Sequence, residues 1–233
     1  MNILPGIEIV DLGLYLTKER TLVIADTHIG FEEALNKQGL LVPRFQFDEL
    51  VKRLKKILAK VKPKLIIVNG DIKHEFGTIS EQEWRLTLRL LDFLAEHCEK
   101  IVLIKGNHDT VIGPIAVKRN IEVKDYYLTN KILIVHGHTI FEKKLDYNTI
   151  IIGHEHPAIG ITEAARRELF KCFLKGKFKV KNLVVMPSFN LVTEGTNVLK
   201  ESLLSPYLKQ DLSGFEVFVV GDKVYKFGRL GNL

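Results

Sequence analysis

Six short apolar runs rich in β-branched residues constrain this chain more than anything else in it: Thr21–Ala25, Leu65–Asn69, Ile101–Lys105, Ile132–Val135, Thr149–Ile152 and Leu183–Met186. Runs of this length and make-up predict buried strands. Each of the first five leads into a short polar block. The blocks are Asp26-Thr27-His28; Gly70-Asp71 with His74; Gly106-Asn107-His108-Asp109; His136-Gly137-His138; and Gly153-His154-Glu155-His156. Of the eight histidines, only His97 lies outside them. Ligands of open α/β sheets bind beyond the carboxyl ends of the strands, so the five blocks predict one convergent site.

The spacing within the blocks carries chemistry. In extended backbone, residues two apart project to one side, so Asp26 with His28, and His154 with His156, can each aim at one place. Gly70, Gly106 and Gly153 allow the backbone to turn sharply as it leaves a strand. Carboxylates, an amide oxygen and imidazoles together suit borderline divalent ions such as Mn²⁺, Fe²⁺, Co²⁺, Ni²⁺ or Zn²⁺. Calcium or magnesium cages use more oxygen donors and fewer histidines.

Between the runs lie two amphipathic helical patterns. Phe47–Val61 turns Leu50, Leu54, Ile57 and Leu58 to one face, and Pro63 stops it. Ser80–Cys98 begins with a Ser80/Glu83 capping box. Helices alternating with strands predict a largely parallel sheet in the first half. The second half has closer-spaced strands at Ile121–Val123, Tyr126–Thr129, Lys131–Val135, Phe215–Val220 and Lys223–Phe227, the last two joined by a Gly221-Asp222 turn. The expected architecture is mixed α/β, two mixed sheets packed face to face with helices outside. With no linker, repeat or low-complexity tract, residues 1–233 are expected to form a single domain. No apolar run approaches the roughly 20 residues of a membrane span. No secretory signal pattern opens the chain, and Cys98 and Cys172 form no CxxC, so a cytoplasmic setting is expected. The net charge of +6 favours acidic partners, nucleic acid included.

The ordered set D-x-H, GD, GNHD, HGH, GHxH resembles the calcineurin-like metallophosphoesterase superfamily, over about residues 21–157. The stretches ADTHIGFEEALNKQGLLVP, GDIKHEFG, GHEHPAI and PSFN are similar to its compact branch of ligase-associated DNA-repair phosphoesterases and their archaeal, SbcD-related relatives. The resemblance implies a two-metal site and a β-sandwich fold. Asp26, His28, Asp71 and His156 would hold one ion, most often Mn²⁺; Asp71 would bridge to a second held with Asn107, His136 and His154. His108 would face substrate as the catalytic histidine, with Asp109 orienting it, and His74 would contact substrate. The implied reaction is hydrolysis of a phosphodiester by a metal-bridged hydroxide, on nucleic acid or nucleotides and with DNA-repair proteins as partners. The Asp-Arg pair that follows GD in protein phosphatases is replaced here by Ile72-Lys73. The metal-ligand tyrosine of purple acid phosphatases is missing too, and the chain is short for a complete SbcD-type nuclease. Two alternatives stand beside this: a phosphodiesterase or phosphatase of small molecules, and a non-catalytic nucleic-acid-binding subunit with a vestigial metal site.

Five further features carry readings of their own. His138 is either a ligand-supporting or a turn residue, and His97 is structural at a helix end. Ser188 or Asn190 could reach substrate. The basic, phenylalanine-containing segment Arg166–Lys181 reads as an amphipathic helix with a solvated lysine face running into a strand. Its alternative is a phosphate-contacting strip. Phe31–Arg44 is a loop or helix over the site.

Overall fold

The computed structural model describes residues 1–43, 45–77, 79–163 and 166–233. One sheet takes its strands in chain order: β1 (Asn2–Leu4), β2 (Ile7–Val10), β3 (Gly13–Leu16), β4 (Thr21–Ala25), β5 (Leu65–Asn69), β6 (Lys100–Ile104) and β7 (Glu122–Lys124). Strands β1 to β4 pair antiparallel and β4 to β7 parallel. Parallel neighbours need crossovers. Helices α1 (Phe31–Lys37) and α2 (Gln46–Lys60) supply the first, α3 (Glu81–Ala95) the second and α4 (Gly113–Lys118) the third.

The second sheet holds β8 (Tyr126–Thr129), β9 (Ile132–Val135), β10 (Thr149–Ile152), β11 (Pro157–Glu163), β12 (Arg166–Phe178), β13 (Lys181–Val185), β14 (Thr196–Asn197), β15 (Glu216–Val220) and β16 (Val224–Arg229). Their order is β14-β11-β12-β13-β10-β9-β8, with β15 paired to β12 and β16 to β15. Strand β10 runs parallel to both β9 and β13. The carboxyl ends of β9 and β10 therefore come together as those of β4, β5 and β6 do.

Alternation along the second sheet explains how it is buried on both faces. Ile134, Ile151, Phe173 and Val184 join the core shared with the first sheet and α2, α3 and α4. Their neighbours Leu133, Val135, Ile150, Ile152, Cys172, Leu174, Leu183 and Val185 face a second core, closed by Tyr207, Leu208, Phe215 and Leu230. Helix α2 turns Leu50, Leu54, Ile57 and Leu58 inward. Each such side chain contributes about 1.5–3 kcal/mol when fully buried. Ser80 caps α3, accepting from Glu83 N while Glu83 accepts from Ser80 N.

Residues 166–178 are a long strand, not the expected helix. Both faces of β12 are covered, so Cys172, Phe173 and Leu174 form a continuous apolar run with no visible alternation. Pairing with β11, β13 and β15 decides the conformation. The side chains of Arg166 and Arg167, like residue Arg44 at the end of the Phe31–Arg44 segment, lie outside the described residues. The first half of that segment is α1. Strands β1 to β3 form an N-terminal meander that the sequence reading did not assign. Among the described residues no helix is long and apolar enough to cross a membrane.

Candidate metal centre

The polar blocks converge where the two sheets meet. Asn69, the last residue of β5, donates through Nδ2 to Val135 O at the end of β9, 3.0 Å away, tying one sheet to the other. Gly153 N donates to His136 O at 2.9 Å, and Asp26 N to Gly70 O at 3.2 Å.

Two groups of donor atoms, each within 4.8 Å of one another, result: Asp26, His28 and His156 in one, Asp71, His136 and His154 in the other. Asp71 stands between them. Its Oδ2 lies 3.3 Å from His136 Nε2, 3.9 Å from His28 Nε2 and 4.0 Å from His108 Nε2. Its Oδ1 accepts from His108 N at 2.9 Å. Asn107 Oδ1 is 3.0 Å from His136 Nε2, which places the amide with the second group. All seven residues singled out as ligands in the sequence are therefore brought into one cluster.

The donor set fits divalent cations. Asp26 is fully buried, one carboxylate oxygen accepting from His154 N at 3.0 Å and the other, Oδ1, making no hydrogen bond and lying 3.4 Å from His136 Nδ1. His28 Nε2 and His156 Nε2 face each other at 3.3 Å. Unpaired or opposed lone pairs in a buried place are costly unless a shared cation satisfies them. Burial and neighbouring imidazoles depress the pKa of His28 far below its usual value and that of His154 to about 4, leaving both neutral and able to donate lone pairs. Burial alone would raise the Asp71 pKa, but His136 and His28 hold it well below the carboxylate range. His136 is pulled the other way by the same carboxylates: burial disfavours its charge, yet Asp71 and Asp26 raise its pKa to about 9. A cation at this point would take over that proton's role.

The local backbone is shaped around these donors. Asp26, His28, Asp71, His154 and His156 all adopt positive φ, from 39° to 65°. A non-glycine residue pays for that conformation, and such residues cluster at functional sites. A Cβ on Gly106 would sit 2.1 Å from Asp71 Oδ1, and one on Gly153 2.4 Å from Asp26 Oδ2. At these two positions the missing side chain makes room for the carboxylates; only Gly70 of the three singled-out glycines uses positive φ, at 81°.

His108 and His74 lie with His28 in a third group of nearby nitrogens. His108 Nδ1 bonds to the carbonyl oxygen of His74, which leaves Nε2 turned toward Asp71. The expected orienting role of Asp109 is corrected here. Its carboxylate accepts from Ile72 N at 3.1 Å and Gly106 N at 3.0 Å, so it fastens the two loops and does not touch the His108 ring. Burial, then the nearby Asp71, raises its pKa to about 6. His74 stacks on Phe31 at 4.1 Å between centroids. Its backbone N donates to Glu83 Oε1 at 3.0 Å. Glu83, legible in the sequence only as a helix cap, thus also holds the His74 loop.

His138 is exposed, its ring 5.2 Å from His136, and joins none of the three groups. His97 is exposed at the end of α3, bonded to Phe93 O. Ser188 and Asn190 are buried and face inward: Ser188 Oγ accepts from Lys171 Nζ at 2.9 Å, and Asn190 Oδ1 accepts from Val192 N at 2.7 Å. Lys171 also donates to Thr193 O at 2.7 Å and Glu194 O at 3.3 Å. It thereby braces a segment whose Asn190 N meets Asp26 O at 3.1 Å and whose Thr196 N meets His156 O at 2.9 Å. Nothing in a lysine-rich strip marked Lys171 as the buried one.

A family model for calcineurin-like phosphoesterases matches residues 19–175. The fold is similar to that of the Pseudomonas putida nuclease MPE, with TM-score 0.64 and 21% identity over 92% of this chain and 91% of that one. YfcE, a phosphoesterase from E. coli, gives 0.41 and 10% over 91% and 93%. A predicted phosphoesterase from Streptococcus pneumoniae gives 0.38 and 16% over 89% and 92%. Only the first of these is similar enough to speak to the fold. No protein among the curated sequences compared with this chain matches it.

Proposed function

The chain belongs to the calcineurin-like phosphoesterase family, and from its metal-dependent phosphoester hydrolysis we propose a two-metal phosphodiesterase acting on nucleic acid or nucleotides. The observation that carries the reading is the placement of Asp71 Oδ2 among imidazoles of both donor groups, where a carboxylate can serve two cations. Asp26, His28, Asp71 and His156 would hold one ion and Asp71, Asn107, His136 and His154 the other, with Mn²⁺ the first choice. Bound there, divalent cations supply Lewis acidity for phosphoryl transfer and make water more acidic.

The chain's own residues do the rest. His108, its Nδ1 held by the His74 carbonyl, presents Nε2 to substrate. It protonates the leaving oxygen or stabilises phosphoryl charge. Asp109 keeps the Asp71 and Asn107 loops in register through Ile72 N and Gly106 N. His74, neutral because burial and His108 lower its pKa to about 4, offers a further contact to substrate. The completeness of the ligand set favours catalysis over a vestigial site. The net charge of +6 supports a polyanionic substrate.

Turnover of bis-p-nitrophenyl phosphate with Mn²⁺, abolished by chelation and restored by metal, tests the chemistry. A panel of single-stranded DNA, duplex DNA, RNA, cyclic nucleotides and phosphomonoesters tests the substrate. Activity confined to phosphomonoesters would overturn the diesterase reading.

A further inference from the structure

Three imidazoles from three separate blocks, His28, His74 and His108, each offer one nitrogen within 4.8 Å of the other two. His74 belongs to this group alone, while His28 is also grouped with Asp26 and His156. Backbone hydrogen bonds hold the three in place. His28 N donates to Asp71 O at 2.9 Å, Ile29 N to Ile72 O at 2.9 Å and His74 N to Ile29 O at 3.0 Å. His108 N is fixed in turn by Asp71 Oδ1. The rings have walls of their own: His74 stacks on Phe31, and Phe76 lies against His108 with centroids 3.7 Å apart. The bond from His108 Nδ1 to the His74 carbonyl oxygen is of the kind that sets the tautomer of a metal-binding imidazole and leaves Nε2 its lone pair. Nδ1 of His74 and Nδ1 of His28 are buried and make no hydrogen bond among the described residues. Buried ring nitrogens left in that condition are uncommon, and in a histidine cluster they point to an ion.

We propose that His28, His74 and His108 form a third cation site, one that takes Zn²⁺ and arrests the centre when filled. The inference rests on the reading above for the activity that is arrested, and adds a regulatory ion to the same site. The two groups described earlier each include carboxylates, which suit Mn²⁺; this one is imidazole alone, which suits Zn²⁺. Three histidines with an open fourth position are a common zinc arrangement. At zinc–nitrogen bonds of about 2.0–2.1 Å, tetrahedral donors stand about 3.4 Å apart, a closing within reach of side-chain rotation. Asp71 Oδ2, 3.9 Å from His28 Nε2 and 4.0 Å from His108 Nε2, adds negative charge beside the ion. Two consequences follow from occupation. His108 Nε2, once a ligand, no longer meets substrate. His28, taken by this ion, no longer serves the one shared with Asp26 and His156.

The test uses the full chain with its histidines isotopically labelled, stripped of metal and followed by NMR of the imidazole nitrogens. His74 is assigned by the signals that vanish in His74→Gln. Excess Zn²⁺ should move a ring nitrogen of wild-type His74 to the position of a metal-bound one, whereas Mg²⁺, which prefers oxygen donors, should leave it in place. Hydrolysis of bis-p-nitrophenyl phosphate at saturating Mn²⁺ is then measured against added Zn²⁺, each protein relative to its own zinc-free rate. Loss of even an outer partner of a ligand lowers metal affinity about 10–100-fold, so His74→Gln and His74→Ala should each need at least about tenfold more zinc for half-inhibition. A His74 ring that ignores excess zinc in the wild type would overturn the inference. So would half-inhibition at the same zinc concentration in all three proteins, which would mean that zinc acts only by replacing Mn²⁺ in the other two groups. If His74 takes zinc but the chain hydrolyses no diester with any metal, the cation site stands and the diesterase reading falls. If the diester is hydrolysed while His74 ignores zinc, the reverse holds.

Discussion

The Nε2 atoms of His28 and His156 lie 3.3 Å apart, two ring nitrogens from opposite sheets aimed at the same point. Burial and the neighbouring His156 disfavour charge on His28, so a shared proton is a poor solution to that opposition. A cation is a better one. Metal should therefore stabilise the fold as well as serve the reaction. Adding Mn²⁺ or Zn²⁺ at a hundredfold excess over Kd contributes about 2.7 kcal/mol per site. For a chain of this size that is roughly 5–10 °C in Tm. Thermal melts with and without chelator read the effect directly, and a melting temperature indifferent to metal would count against the centre.

Asp71 and His28 should differ in how they fail. Asp71→Asn removes the oxygen charge facing both donor groups, so both ions should be lost and turnover abolished. His28→Ala removes a donor from one group and should chiefly weaken one ion. Metal analysis of the purified variants decides, and two ions retained in Asp71→Asn would contradict the bridging role.

His108 should separate chemistry from metal binding. His108→Ala should keep close to two ions per chain yet lose on the order of 10²–10⁴ in kcat. The loss should shrink for p-nitrophenyl esters if Nε2 protonates the leaving oxygen, since a good leaving group needs no proton. Equal losses on alkyl and nitrophenyl esters would assign it to phosphoryl charge.

Lys171 should make stability depend on pH in the alkaline range. Burial lowers its pKa to about 8, from an ordinary value of 10.5, against the weaker pull of Glu194. Below pH 8 it is charged both folded and unfolded, and the folded state bears the cost of burying the charge. Between about pH 8 and 10.5 the unfolded chain binds the proton more tightly, so stability rises with pH across that window. Lys171→Met has no such group. The difference in unfolding free energy, wild type minus variant, should therefore increase from pH 8 to 10.5, and a flat difference would mean that the lysine is not buried as a cation. In the variant the segment 188–196 also loses its brace, so the ion held by Asp26, His28 and His156 should bind more weakly.

The strands that end in the polar blocks were legible because position and chemistry coincide there: an apolar run stops where polar side chains begin. Thr21–Ala25 and Thr149–Ile152 were read to the residue, and the Ser80/Glu83 cap was found from its spacing. Strand β12 was not, because a strand buried on both faces loses the alternation that distinguishes it from a helix. The strip reading of its lysines fails in part for the same reason. Lys171 is 5% exposed and Lys175 pairs with Glu216 at 2.8 Å, while Lys177 and Lys179 remain exposed. Asp109 shows a different limit. The family resemblance implied that its carboxylate partners the His108 ring, but the hydrogen-bond demands of two loops claim it first. The carbonyl of His74, which does orient that ring, belongs to the backbone and has no signature in the sequence.

The left-handed backbone at Asp26, His28, Asp71, His154 and His156 limits what chemistry the centre can drift toward. Aspartate, asparagine and histidine tolerate that conformation better than other side chains. Cysteine and glutamate, equally competent as donors, do not share the preference. A shift toward thiolate coordination, and so toward softer ions, would have to rebuild the loops before it could change the metal. The chain's conformation would act as a filter on its own ligand alphabet, favouring hard and borderline ions in any centre these residues hold.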